Sequence, residues 1–142
     1  MNRKEVIRRI RQFCKDYNVS PSDCKVSAGA AMVLYGVRVE TADIDMDLMP
    51  NVFRRFEMSD LCQKSYFNGK TILELRGMNI DLHLWEYGTG QCIEPGIFAY
   101  GIKDLMEQKR KLKDHPERKP EKVHQDEVDI SKLAALMSKN KR

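Results

Sequence analysis

Three acidic residues and one glycine turn are the places where this sequence could do chemistry. Asp43-Ile44-Asp45 opens a stretch, residues 43–48, that alternates as Asp-Ile-Asp-Met-Asp-Leu. A period of two marks a β-strand, with Asp43 and Asp45 on one face and Ile44 and Met46 on the other. Carboxylates about 6–7 Å apart along a strand repel each other, and a shared cation relieves the repulsion. Oxygen-only ligands suit Mg²⁺ or Mn²⁺ rather than zinc. An edge strand with a solvated acidic face has the same pattern.

A second alternating stretch, residues 79–85, sets Ile80, Leu82 and Leu84 on one face and Asp81 and His83 on the other. If the two strands lie side by side with their apolar faces inward, Asp81 joins Asp43 and Asp45. Three convergent carboxylates are the usual platform for two-metal phosphoryl chemistry. A solvated strand face is again the alternative, and His83 is equally readable as a donor to the acids or as a surface histidine. Upstream, Ser27-Ala28-Gly29 lies between a strand and a helix, where backbone N–H groups can face an anion. Gly29 lets a phosphate approach the backbone closely. Thirteen residues separate Gly29 from Asp43. Arg38, in the intervening loop, is placed to reach a nucleotide or to be an ordinary loop arginine.

The elements that must position these groups are legible as periodicities. Val6, Ile10, Phe13, Cys14 and Tyr17 make residues 3–17 an amphipathic helix. A short strand over 24–27 leads into a helix over 28–35 that Gly36 closes. Pro50 stops the acidic strand, and 53–64 reads as a further helix. Strands over 71–75 and 79–85 flank Arg76-Gly77-Met78, a turn short enough for a hairpin. Gly88, Gly90, Pro95 and Gly96 mark a loop. Helices over 102–112 and 125–137 flank a polar connector with Pro116 and Pro120. The fold class is therefore α/β, a small mixed sheet with flanking helices and a helical C-terminal segment.

Composition sets outer bounds. The chain has 142 residues, 42% of them hydrophobic and 32% charged, which is a globular balance. No apolar run is long enough to span a membrane, and Met-Asn-Arg-Lys-Glu does not begin a secretory signal. Cys14, Cys24, Cys62 and Cys92 form no zinc spacing with His83, His115 or His124, so free thiols in a reducing cytoplasm are expected. Residues 1–101 carry 13 basic and 13 acidic side chains, so the net charge of +4 comes entirely from residues 102–142. A basic tail end suits a phosphate-bearing partner, and it equally suits a solvated helix.

The run from Val26 to Arg38, followed by Thr41-Ala42-Asp43-Ile44-Asp45, resembles the polymerase-β-like nucleotidyltransferase superfamily. It is most similar to the minimal nucleotidyltransferases that include toxins of abortive-infection and toxin–antitoxin systems. Their signature is Gly-Gly or Gly-Ser at a helix start, an Asp-x-Asp strand, and a third carboxylate on a later strand. Residues 24–85 carry the match, with Ala28 in place of the first glycine. The resemblance implies a nucleotidyltransferase-like core over 1–101 and a basic helical segment over 102–142 packing on the same domain. It implies transfer of a nucleoside monophosphate from an NTP to a hydroxyl of RNA, tRNA included, or of protein. Asp43, Asp45 and Asp81 would be catalytic and hold Mg²⁺ or Mn²⁺. Ser27, Ala28, Gly29 and Arg38 would bind the nucleotide, and Lys109 would neutralise the leaving pyrophosphate. Arg118 and Asp126 are similar to a further helical part of the family pattern. A toxin or antitoxin partner belongs to the same expectation. The alternative is a catalytically silent member of the fold, acting as a binding module of antitoxin or defence-inhibitor type.

Overall fold

Apolar alternation builds a seven-stranded mixed sheet in the computed structural model, which describes residues 1–140. The chain divides into two compact units, one from Met1 to Tyr100 and one from Gly101 onward. The first begins with helix α1 (Arg3–Asp16), started by Asn2, whose side chain accepts a hydrogen bond from the Glu5 N–H at 2.9 Å. Strand β1 (Cys24–Ser27), helix α2 (Ala28–Leu34), strand β2 (Ile44–Leu48) and helix α3 (Pro50–Glu57) follow. Strands β3 (Cys62–Phe67), β4 (Lys70–Leu75), β5 (Ile80–Leu84), β6 (Gly90–Glu94) and β7 (Ile97–Tyr100) complete the unit.

The strand order is β3-β4-β5-β2-β1-β7-β6. The pairs β1–β7 and β2–β5 are parallel, and the other four are antiparallel. One sheet face is apolar: Val26, Ile44, Met46, Leu48, Ile80 and Leu82 are all essentially inaccessible to solvent. Helix α2 packs on β1, β2 and β7, and α3 on β5. Phe13 of α1 stacks on Phe56 of α3 with ring centroids 5.6 Å apart. Each fully buried Leu, Ile, Met or Phe contributes about 1.5–3 kcal/mol, so this face is what holds the sheet to its helices.

Several elements depart from the sequence expectation. The helix expected over 53–64 runs instead from Pro50 to Glu57, with Pro50 in the first turn. Proline has no N–H to lose there, so the residue that ends β2 also starts α3. Residues 62–67 pair with β4 through the two-residue turn Asn68-Gly69, both at positive φ (51° and 74°), as a tight hairpin requires. The loop expected over 88–96 contains β6, and β7 lies beside β1 as a strand the periodicity did not mark.

The second unit consists of α4 (Ile102–Lys113) and α5 (Pro120–Asn140), which pack on each other. α5 starts at Pro120, five residues before the expected helix. The expected basic segment 102–142 includes residues 141 and 142, which lie outside the described residues. No helix among the described residues is long and apolar enough to cross a membrane.

Candidate functional site

The face of the sheet opposite its apolar side carries two rows of polar side chains. Residues opposed across a strand pair point to the same face, so registers translate directly into neighbours. Ser27 of β1 opposes Asp45 of β2, Asp45 opposes Asp81 of β5, and Asp81 opposes Glu74 of β4. One step along, Lys25 opposes Asp47, and Asp47 opposes His83. Asp43 lies on the bend just before β2 and is exposed.

The charges in the first row press on each other. Burial, followed by the charges of Asp45, Asp43 and Glu74, pushes the Asp81 carboxyl up to about 6. His83 Nε2 stands 2.9 Å from Asp45 Oδ1. Burial works against a charge on His83, but the bond to Asp45 and the fields of Asp45, Asp47 and Asp81 prevail and raise its pKa. Asp45 is thus already answered by a neighbouring ring, whereas at Asp81 burial and like charge outweigh the attraction of His83.

The second row is drier. Lys25 is fully buried, and its ammonium donates to the Tyr87 carbonyl at 2.6 Å. It sits 3.4 Å from the Tyr100 ring centroid and 4.2 Å from that of Trp85, an aromatic box that favours a cation over its ring faces. The Tyr100 hydroxyl donates to Asp47 Oδ2, and burial raises the Asp47 carboxyl.

At the head of β2 stands the turn between β1 and α2. Ala28 adopts φ +53°, a left-handed conformation that the Cβ of an L-residue disfavours. Gly29 is needed for space. A Cβ there would lie 2.9 Å from Thr41 Oγ1 and 3.0 Å from Arg38 Nη1. Thr41 Oγ1 in turn donates to the Asp43 carbonyl at 3.0 Å, and Ser27 Oγ to the Asp45 carbonyl at 3.4 Å. Ser27, Gly29, Arg38 and the Asp43–Asp45 segment are therefore brought together.

Lys109 belongs to the second unit, where it is buried and paired. Its Nζ lies 3.3 Å from Asp126 Oδ1 and 3.2 Å from Asp129 Oδ2, both carboxylates being fully buried. Arg118 binds Asp126 through two bonds of 3.0 and 2.8 Å. Among the described residues, no group of three or more His, Cys, Asp or Glu side chains is gathered so as to hold a metal ion. Sequence reasoning missed Glu74, Lys25, Asp47 and Tyr100. Glu74 and Lys25 were visible in principle, as the polar positions of alternating strands. Neither a family model nor a curated protein matches the chain.

Proposed function

We propose that the chain is a metal-dependent nucleotidyltransferase that moves a nucleoside monophosphate from an NTP to a hydroxyl of RNA or protein. The observation that carries this reading is the direct register of Asp45 with Asp81 on parallel strands, with Asp43 near enough to help raise Asp81. Carboxylates crowded in this way favour a divalent cation among them, and their all-oxygen chemistry fits Mg²⁺ or Mn²⁺. In this reading Asp43, Asp45 and Asp81 hold the metal. When bound, it would neutralise phosphate charge and acidify the acceptor hydroxyl.

The chain's own groups divide the remaining work. His83 fixes the orientation of Asp45 through its 2.9 Å contact. Asp81, in direct register with Asp45, is placed to accept the acceptor's proton beside the cation. Gly29 leaves the turn without a side chain, and Arg38 beside it offers guanidinium N–H groups to phosphate. Ser27 and the Ala28 backbone complete the proposed nucleotide contacts. Lys109, with two carboxylates on its ammonium, is proposed as a structural cation in place of a phosphate ligand. An abortive-infection or toxin–antitoxin setting and a cytoplasmic location belong to the same proposal.

The test is label transfer from each α-labelled NTP, with Mn²⁺, to total RNA or to protein. Transfer by wild type and its loss in Asp45→Asn and Asp81→Asn is the expected result. No transfer, together with no calorimetric NTP binding, would remove the nucleotide reading altogether. A second reading, the silent binding module, is favoured by the left-handed Ala28 and by the His83 contact on Asp45. NTP binding without transfer would select it.

A further inference from the structure

We infer that the outer face of α1 is a docking stripe for the phosphodiester backbone of a nucleic-acid strand, a role separate from anything proposed for the carboxylates. The first unit has no net charge, yet its cations are segregated. Lys4, Arg8, Arg11 and Lys15 recur at intervals of four, three and four residues, and all four are exposed. At 100° per residue they fall within an arc of about 60°, and at 1.5 Å per residue they extend over about 16 Å. They line one side of an open groove of about 700 Å³.

The groove's charges are held in place. Arg3 Nη1 bonds Glu94 at 2.8 Å and its Nε bonds the Leu34 carbonyl at 3.1 Å. Arg11 lies 3.8 Å from Glu94 and donates to the Pro95 carbonyl at 3.0 Å. Glu5 takes up part of the Arg8 charge, at 2.6 Å. Among the described residues, Glu94 is the one acid lining the groove, against five basic side chains. Arginines braced in this way lose little further freedom on meeting a phosphate.

The stripe's chemistry distinguishes between partners. Protein interfaces are anchored by buried aromatic and apolar residues. None of the large exposed apolar side chains of the described residues lies on α1, and Ile7, which lines the groove, is buried. A polar, strongly cationic surface without anchors is the character of a nucleic-acid interface. Regular spacing along a straight axis suits a linear polyanion, and contacts made to phosphates carry no sequence information.

Fluorescence anisotropy with a single-stranded RNA and a single-stranded DNA of the same length tests this, without NTP or divalent metal, so failure would leave the carboxylate reading untouched. Wild type should bind with a log–log salt slope of about −3, four phosphate contacts at about 0.7 each. Lys4→Glu with Lys15→Glu should weaken binding by about tenfold or more. The charge-matched control Lys122→Glu with Lys139→Glu on α5 should change it less than about twofold. Single Lys4→Gln and Lys15→Gln variants, each lowering the slope by about 0.7, carry the test if the double variant misfolds. Tighter binding of either strand names the source, and equal binding supports pure backbone recognition. No binding of either strand, equal losses in stripe and control variants, or displacement by poly-glutamate as effective as by RNA at equal charge would each overturn the inference. The last result would point to an acidic protein.

Discussion

Gly29 and Thr41 touch so closely that a methyl group on residue 29 would meet the threonine hydroxyl at 2.9 Å. Its neighbour Ala28 presents the opposite case, a residue that has a Cβ at a φ of +53° where glycine would be at ease. Two adjacent substitutions should therefore act with opposite sign. Ala28→Gly is expected to stabilise the protein by about 0.5–1 kcal/mol, the left-handed penalty less the added chain entropy. Gly29→Ala should destabilise by about 1–3 kcal/mol through overpacking. Urea unfolding of both variants measures the pair, and equal effects of one sign would refute the turn geometry.

The raised Asp81 carboxyl makes a pH prediction. Its folded value of about 6 exceeds the ordinary carboxyl value of 3.8, so on raising the pH the unfolded chain loses this proton first. Stability contributed by the protonated form is complete below about 4 and is lost as pH climbs through about 6. The difference in stability between wild type and Asp81→Asn should accordingly move against wild type across that interval in the absence of metal. A flat difference between pH 4 and 7 would show that Asp81 is not crowded.

Divalent metal should reverse that trend. Millimolar Mg²⁺ or Mn²⁺ is expected to raise the melting temperature at pH 7 by binding the folded form. Replacing both Asp43 and Asp45 by Asn should abolish the response, with a metal-free loss of stability no larger than the weakened His83–Asp45 contact accounts for. Strong destabilisation of that double variant without metal would assign the carboxylates a structural role.

Lys109→Met should take the ammonium away from two fully buried carboxylates in the second unit, leaving Arg118 on Asp126 and the Gln125 amide on Asp129. Breaking a buried ion pair from one side costs about 3–5 kcal/mol. Thermal and urea unfolding should show a loss of that order. A variant of unchanged stability with weakened NTP binding would return Lys109 to the nucleotide.

Lys25→Met tests the aromatic box. The substitution keeps the stem's volume but removes the charge from the Tyr100 and Trp85 rings and the donor from the Tyr87 carbonyl. A loss of about 2–3 kcal/mol is expected from a desolvated cation–π contact and an orphaned acceptor. Faster hydrogen exchange over residues 85–88 should accompany it.

The acidic strands were legible because apolar residues alternate strictly with charged ones, and burial of one face then fixes the other. Helix α1 was legible for the parallel reason at a period of 3.6. β3 was not: Cys62-Gln63-Lys64-Ser65-Tyr66-Phe67 lies at the sheet edge, is mostly exposed, and so carries no apolar alternation to read. Its signal was the Asn68-Gly69 turn. Lys25 does not stand out in the sequence, because a lysine in a strand looks solvated until Tyr87, Trp85 and Tyr100 arrive from distant positions. The partners of Lys109 lie beyond a two-proline connector, at a separation that helical spacing does not relate. Local periodicity reports what faces the core, whereas the contacts between polar groups depend on topology.

The parallel pairing of β2 with β5 has a kinetic consequence. Asp45 and Asp81 become neighbours across 36 residues of chain, and Val26 meets Ala99 across 73. Closing such long segments is entropically slow and is rewarded only late. A chain emerging from the ribosome has no complete acidic face until β5 has been released and docked. If the proposed metal binds only the completed face, it should slow unfolding, and it should speed refolding only to the extent that β2 and β5 are already paired in the transition state.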